Sequence, residues 1–373
     1  MSLGNNIIEV WYDHKKAGSL ALTPDGLCAF EYNAEFIQDG FSISPFYLPL
    51  KSGIFVSKRE PFNGLFGVFN DSLPDGWGML LTDRLLKQKN IPLSEITVLD
   101  RLAIVGNGAM GALSYRPLWK LSSSNSSFDL NAIAKDVELV LHDEYNDNIE
   151  ELFAKGGSSG GARPKVLVNI DGEEWIVKFK SSNDPDNIGE IEYAYSLSAR
   201  ECGIEVTETR LFENKYFGIK RFDVVKGKRN HVISASGLLH ANYRIPSLDY
   251  IDLMKATFAI TRNIKEVEKV FRQMVFNILT SNMDDHAKNF SFIYKNNEWN
   301  LSPAYDLVLS NGFNGQHTTT IAGQGNPTIT DIFEAAGQVA IPDKKAKLIF
   351  DEVYSNTRNL LKYIPKSSDS HKF

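Results

Sequence analysis

The chain has 373 residues, 43% hydrophobic and 23% charged, with a formal net charge of −6. That profile suits a globular protein of two domains or three subdomains, and the acidic balance argues against a broad nucleic-acid-binding face. No apolar run approaches the roughly 20 residues that cross a bilayer, the first residues carry no signal-peptide pattern, and two cysteines are too few for a disulfide framework or a cysteine zinc site; a cytoplasmic protein is expected.

Residues 1–118 read first as strands: IIEVWYD, a Lys-Lys-Ala-Gly turn, SLALT, the Pro24-Asp25-Gly26 turn, then LCAFEY. Pro45, Pro49 and Pro61 punctuate a loop-rich stretch. FNDSLPDGWGMLLTDRLLKQ reads as a turn at Pro74-Asp75-Gly76 that initiates a helix, with nothing catalytic in it. GNGAMGALSY has its glycines in the wrong order for a dinucleotide fingerprint and reads as strand and turn.

Serine-rich LSSSNSSFDL marks a boundary, and a helical stretch from about Leu130 to Phe153 follows. The next segment, KGGSSGGARPKVLVNIDGEEWIVKFK, holds a glycine–serine loop, a strand, the Asp171-Gly172 hairpin turn and a second strand bearing Lys178. Such a loop lets backbone amides approach phosphates, and a lysine on the following strand reaches the same phosphates. Ala162-Arg163 stands where a Walker loop needs Lys-Ser/Thr, so the order is that of a kinase small lobe instead. A helix over IGEIEYAYSLSAREC offers Glu192, or less well Glu190, as the partner of Lys178. TRLFE, YFGIKRF and HVISAS complete the strands, HVISASGLLH is expected to serve as an adenine hinge, and Lys226, Lys228 and Arg229 read as a solvated hairpin loop.

Val267, Val270, Phe271, Met274 and Ile278 fall at helical spacing and deliver NMDDHAKNFSFIYKNNEWNLSPAYD. FSFIY and WNL form a hairpin around KNNE, and LSPAYD closes it. Phosphoryl transfer to a hydroxyl needs a carboxylate to orient the hydroxyl, and an amide and a second carboxylate to hold magnesium on the phosphates. Asp284 and Asn289 stand at the kinase spacing, and Asp306 lies past the next two strands, although no HRD precedes and AYD replaces DFG. Lys288 is a candidate to stabilise charge on the transferring group. His286 reads as a backbone buttress, and Asp285 as a helix-end or second-metal ligand. Helices around Thr330–Gly337 and Lys344–Leu361 follow.

Taken together, FNDSLPDGWG, GGSSGGARPK, DDHAKNFSF and LSPAYDL resemble the HipA family of serine/threonine kinases, the toxin halves of bacterial toxin–antitoxin pairs, over nearly the whole chain. The resemblance implies an α/β (α+β), two-lobed protein-kinase-like fold. An N-terminal β-rich subdomain would span 1–118, a kinase N-lobe 119–235, and an all-helical C-lobe with the catalytic and metal motifs 236–373. It implies ATP- and Mg2+-dependent phosphorylation of a protein serine or threonine. Asp284 would be the catalytic carboxylate, Asn289 and Asp306 the magnesium ligands, and Lys178 the holder of the α/β phosphates. The backbone at Ser159, Gly160, Gly161 and Ala162 would lie against the phosphates, with Lys165 kept at the loop end. Autophosphorylation of Ser158, or of its neighbour Ser159, would eject the loop and shut the kinase off. A helix-turn-helix antitoxin that binds operator DNA is the implied partner. Arg163-Pro164 departs from the family's usual Gln-Glu, and SASGLLH from its hinge. Two other readings are a kinase-fold phosphotransferase acting on a small molecule and a catalytically silent binding module.

Overall fold

The computed structural model describes residues 6–119, 129–144, 146–157 and 160–360. It divides into two compact units, each assembled from three segments: Met1–Ser182, Arg221–Asn242 and Ser291–Asn300 in the first, and Asn183–Lys220, Tyr243–Phe290 and Leu301–Phe373 in the second.

The first unit opens with an antiparallel sheet of β1 (Ile7–Tyr12), β2 (Lys15–Leu22), β3 (Cys28–Tyr32), β4 (Ile54–Val56) and β5 (Leu113–Arg116), in the order β4-β3-β2-β1-β5. Alternation decides which side is buried: Ile8, Val10, Ala17, Leu20, Cys28, Phe30 and Tyr32 all lie in the core. The Lys-Lys-Ala-Gly stretch is strand rather than turn. The reversal falls at Asp13-His14, where Asp13 takes φ 54° and leaves Lys16 to pair with Glu9 at 2.7 Å. Helices α1 (Ala34–Asp39), α2 (Gly67–Asn70), α3 (Gly76–Gln88) and α4 (Val98–Val105) follow. The stretch expected as one helix is two, α5 (Leu130–Leu141) and α6 (Ile149–Gly156). Asp143 turns left-handed between them, and the Asn146 side chain holds Asn148 N at 2.7 Å and Asp136 O at 3.0 Å. Short amides that bond their own backbone compete with helix in this way.

α6 leads through the glycine loop into a hairpin of β6 (Lys165–Ile170) and β7 (Glu173–Lys178). Asp171 and Gly172, at φ 54° and 82°, make its two-residue turn. Later in the chain His231–Ser234 pairs with Ser291–Lys295, which returns through Asn296 and Asn297 into Glu298–Leu301. The basic hairpin is not wholly solvated, because Arg229 donates to the carbonyls of Asn107 and Ala109.

The second unit contains α7 (Ile188–Glu201), the hairpin Thr209–Phe212 with Tyr216–Lys220, and helices Tyr250–Thr261, Ile264–Leu279, Ile329–Gln338 and Asp343–Thr357. Val267, Val270, Phe271 and Met274 are fully buried, so the helical spacing ahead of the acidic motif is a core stripe. Among the described residues no helix is long and apolar enough to cross a membrane.

Candidate active site

The acidic motif is built where the helix Ile264–Leu279 ends. Ser281 turns left-handed and Asn282 N returns to Asn277 O at 2.9 Å, which carries the chain out of the core. Asp284 is exposed, and its N–H donates to Ser310 Oγ at 2.8 Å. Asn289 is buried, and its Nδ2 donates to the Asp284 carbonyl at 2.6 Å. Between them Ala287–Asn289 forms one 3-10 turn, capped by His286, whose Nδ1 accepts from Lys288 N at 3.3 Å. His286 is therefore the backbone buttress that the sequence suggests. Tyr305 Oη donates to Lys288 O at 2.7 Å, tying the loop that carries Asp306 to the residue before Asn289. Asp306 itself sits at φ 57°, a left-handed conformation that aspartate tolerates better than most residues.

Asp285 turns the other way, into the interior, with no exposed surface. Its carboxylate accepts from Thr318 N (2.9 Å), Thr319 N (3.1 Å), Tyr250 Oη (2.8 Å) and His317 Nδ1 (2.9 Å), and its carbonyl from Thr319 Oγ1 (2.5 Å). A buried carboxylate needs donors of this number. The network continues by hydrogen bonds from Asn277 Nδ2 to Tyr250 Oη, Asn282 Nδ2 to Asn277 Oδ1 and Ser310 Oγ to Asn282 Oδ1, ending at the Ser310 hydroxyl that holds Asp284 N. Burial first, and the Asp285 charge second, push the Tyr250 phenol well above its ordinary range, so it remains a donor. Asp285 is thus a structural clamp rather than a helix-end or second-metal ligand.

Lys288 is half-buried, with Nζ 4.2 Å from the centre of the Tyr243 ring. Glu192, on α7 of the same unit, is buried, whereas Glu190 is partly exposed, so Glu192 is the one that needs a charged or hydrogen-bonding partner.

In the first unit, Lys165 and Lys178 lie directly opposite one another across the β6–β7 ladder, each 8% exposed. Cross-strand partners share a face, so the two lysine side chains leave the ladder side by side. Pro164 adds its carbonyl to the ladder, accepting from Phe179 N at 2.8 Å. Gly161 has φ 86°, and a Cβ on it would lie 2.5 Å from Lys165 Nζ. Its two polar backbone groups are both engaged by the Pro74–Trp77 turn: the N–H donates to Asp75 Oδ1, and the carbonyl accepts from Trp77 N at 3.2 Å. Trp77 Nε1 donates to Lys165 O at 3.1 Å. Four residues before Asp75 in the same motif, Asp71 holds Ser234 through both N and Oγ, each at 2.7 Å, at the corner expected as a hinge. Ser158 and Ser159 lie outside the described residues.

Sequence reasoning missed Asp71, Asp75, Trp77 and the Asp285 network. The FNDSLPDGWG and HTTT runs were the available signals, but their contacts lie 32 to 163 residues away.

With this geometry in view, the comparisons are specific. A model of the HipA N-terminal domain matches residues 8–116, and one of the HipA-like C-terminal domain matches 157–361, more than half of the chain. The chain belongs to the HipA family. Two proteins of Sinorhizobium fredii whose names propose a kinase, Y4dM and Y4mE, are each 24% identical over 81% of this chain, covering 76% and 77% of their own lengths. HipA of Shewanella oneidensis, solved with HipB and its operator DNA, superposes over 97% of this chain and 92% of its own with a TM-score of 0.71 at 17% identity. That likeness gives the HipA fold, in which the chain is a mixed α/β protein of kinase-like architecture.

Proposed function

We propose that this HipA-family chain is an ATP- and Mg2+-dependent kinase that phosphorylates serine or threonine in a protein, and that it acts in the cytoplasm. The observation that carries the reading is the single turn in which Asn289 Nδ2 grips the Asp284 carbonyl. That bond fixes the amide so that Oδ1 is its remaining ligand atom, while Asp284 stays exposed to a substrate hydroxyl. Asn289 and Asp306 offer hard oxygen donors. Magnesium characteristically takes one or two such groups and completes its shell with phosphate and water, so the donor set suits it, and bound there it would screen the phosphate charge.

In this reading Asp284 orients the hydroxyl and accepts its proton as the bond to the γ-phosphoryl forms. Lys165, Lys178 and the amides of Gly160 and Ala162 neutralise and orient the phosphates, with Gly161 shaping the loop while its own N–H is held by Asp75. Lys288 would stabilise charge on the phosphoryl in flight, and Glu192 is the carboxylate this reading assigns to Lys178. Ser158, or Ser159, is the residue on which self-phosphorylation would silence the enzyme, and the altered Arg163-Pro164 end leaves Lys165 to anchor the loop. Support for a partner comes from the family: Shewanella HipA was solved with HipB and operator DNA. We assign this chain an antitoxin of helix-turn-helix type that supplies most of the DNA contact, given a net charge of −6.

Intact-mass and peptide mass spectrometry after incubation with Mg-ATP, with Asp284→Asn as control, tests this. One added phosphate at Ser158 or Ser159 in the wild type and none in the control is expected. Bound nucleotide with no phosphate on protein would turn the assignment to a small-molecule phosphotransferase or a silent module.

A further inference from the structure

Asp75 is the N-cap residue of the 13-residue helix α3, with extended backbone at φ −125° and ψ 178°. An aspartate there ordinarily accepts from the amides of its own first turn. Asp75 makes no such bond; its carboxylate reaches Gly161 N, 86 residues along the chain. Gly76 follows at φ 37°, where a Cβ would lie 2.5 Å from Ala162 Cα and 2.7 Å from Gly161 O. Trp77, 1% exposed, holds Gly161 O through its backbone and Lys165 O through its indole. At the loop's start, a Cβ on Gly156 would come within 3.1 Å of Trp77 Nε1, and Thr82, one turn further along α3, donates to Gly157 O at 3.5 Å. Asp75 and Trp77 bond the middle and end of the glycine loop, Gly76 admits its backbone by close approach, and Thr82 meets its beginning.

We infer that Asp75 is a positioning residue for the glycine loop. Its carboxylate sets the plane of the Gly161 peptide, and with Trp77 N on the carbonyl the residue is held from both sides. This rests on the nucleotide reading above insofar as the loop is taken to receive phosphate, and it assigns to a residue of the N-terminal β-rich region the task of shaping that loop. Asp75 acts through the loop and not on substrate. Gly161 has the Asp75 carboxylate at its N–H and Lys165 Nζ where a Cβ would stand, so its backbone is confined on both faces.

The test is kinetic and structural together, on the full chain. Asp75→Ala is expected to raise the KM for ATP about tenfold with kcat changed less than threefold, and to speed amide hydrogen exchange in the peptide covering Gly160–Lys165 without nucleotide. Asp75→Asn keeps a carbonyl acceptor and is expected to restore most of both, which separates positioning from a general loss of fold. Unchanged exchange and KM in Asp75→Ala would overturn the inference. So would a fall in KM, since the carboxylate would then be a competitor for an amide that phosphate needs. Faster exchange in Asp75→Ala, with no nucleotide binding by the wild type, would uphold the anchoring while removing the nucleotide reading.

Discussion

The glycine loop before Lys165 and the acidic turn from Asp284 to Asn289 are secured by opposite means. The loop has few side chains of its own, and its anchors come from a distant turn that contacts its backbone. Close approach there depends on missing Cβ atoms at Gly76, Gly156 and Gly161. The acidic turn is supported from beneath by a buried mesh of side chains, Asp285, Tyr250, Asn277, Asn282, His317 and Ser310. A loop held by backbone bonds can be exchanged between conformations at modest cost, whereas a buried polar mesh loses several bonds at once if it shifts. On the proposed reading, the difference would suit an adjustable phosphate clamp and a rigidly held carboxylate at Asp284.

The sharpest way to break this contrast is Asp285→Ala. It strands four buried donors, and a loss of about 3–5 kcal/mol in unfolding free energy by urea titration is expected, with activity falling in parallel. A loss below about 1 kcal/mol would mean that the mesh is not what holds the acidic turn. Asp284→Asn probes the same turn from its exposed side. Phosphoryl transfer should fall on the order of a thousandfold while the melting temperature and Mg-ATP affinity stay near wild type; a parallel loss of stability would give Asp284 a structural part.

Acid titration reports on the first unit. Burial depresses His231 to about 4, so it is neutral when folded, whereas an unfolded chain takes up that proton near the ordinary 6.5. Its contribution is complete above pH 6.5 and is lost as pH falls toward 4, by at most about 3 kcal/mol. Denaturant titrations at pH 7 and 4.5 should show this fall, and His231→Gln should flatten it. On the loop, Gly161→Ala must adopt a left-handed φ and displace Lys165 Nζ, with strain of about 1–2 kcal/mol. An approximately tenfold rise in the KM for ATP at unchanged kcat is the expected reading.

The same contrast explains what was legible beforehand. Asp284, Asn289, Asp306 and Lys178 could be named as candidates because phosphoryl transfer would restrict both residue type and spacing. The β6–β7 hairpin and its Asp171-Gly172 turn were visible for local reasons, as was the core stripe before the acidic motif. Asp75 was not, since its turn satisfies every rule for starting a helix and the contact that redirects its side chain lies 86 residues away. Asp285 was ambiguous for a related cause: adjacent aspartates look alike in a sequence, and only packing sends one to solvent and the other inward. The break between α5 and α6 depends on Asn146 bonding its neighbours, a competition too evenly balanced to read from letters.

The interleaving of the two units has a consequence for biosynthesis. The chain passes from one to the other five times, at residues 182/183, 220/221, 242/243, 290/291 and 300/301. The platform bearing the glycine loop is therefore unfinished until the hairpin ending at Asn300 has been translated. A nascent chain halted anywhere before that hairpin holds no completed unit, and no single cut yields two self-sufficient fragments. Such late closure delays completion of the first unit until most of the polypeptide has been synthesised.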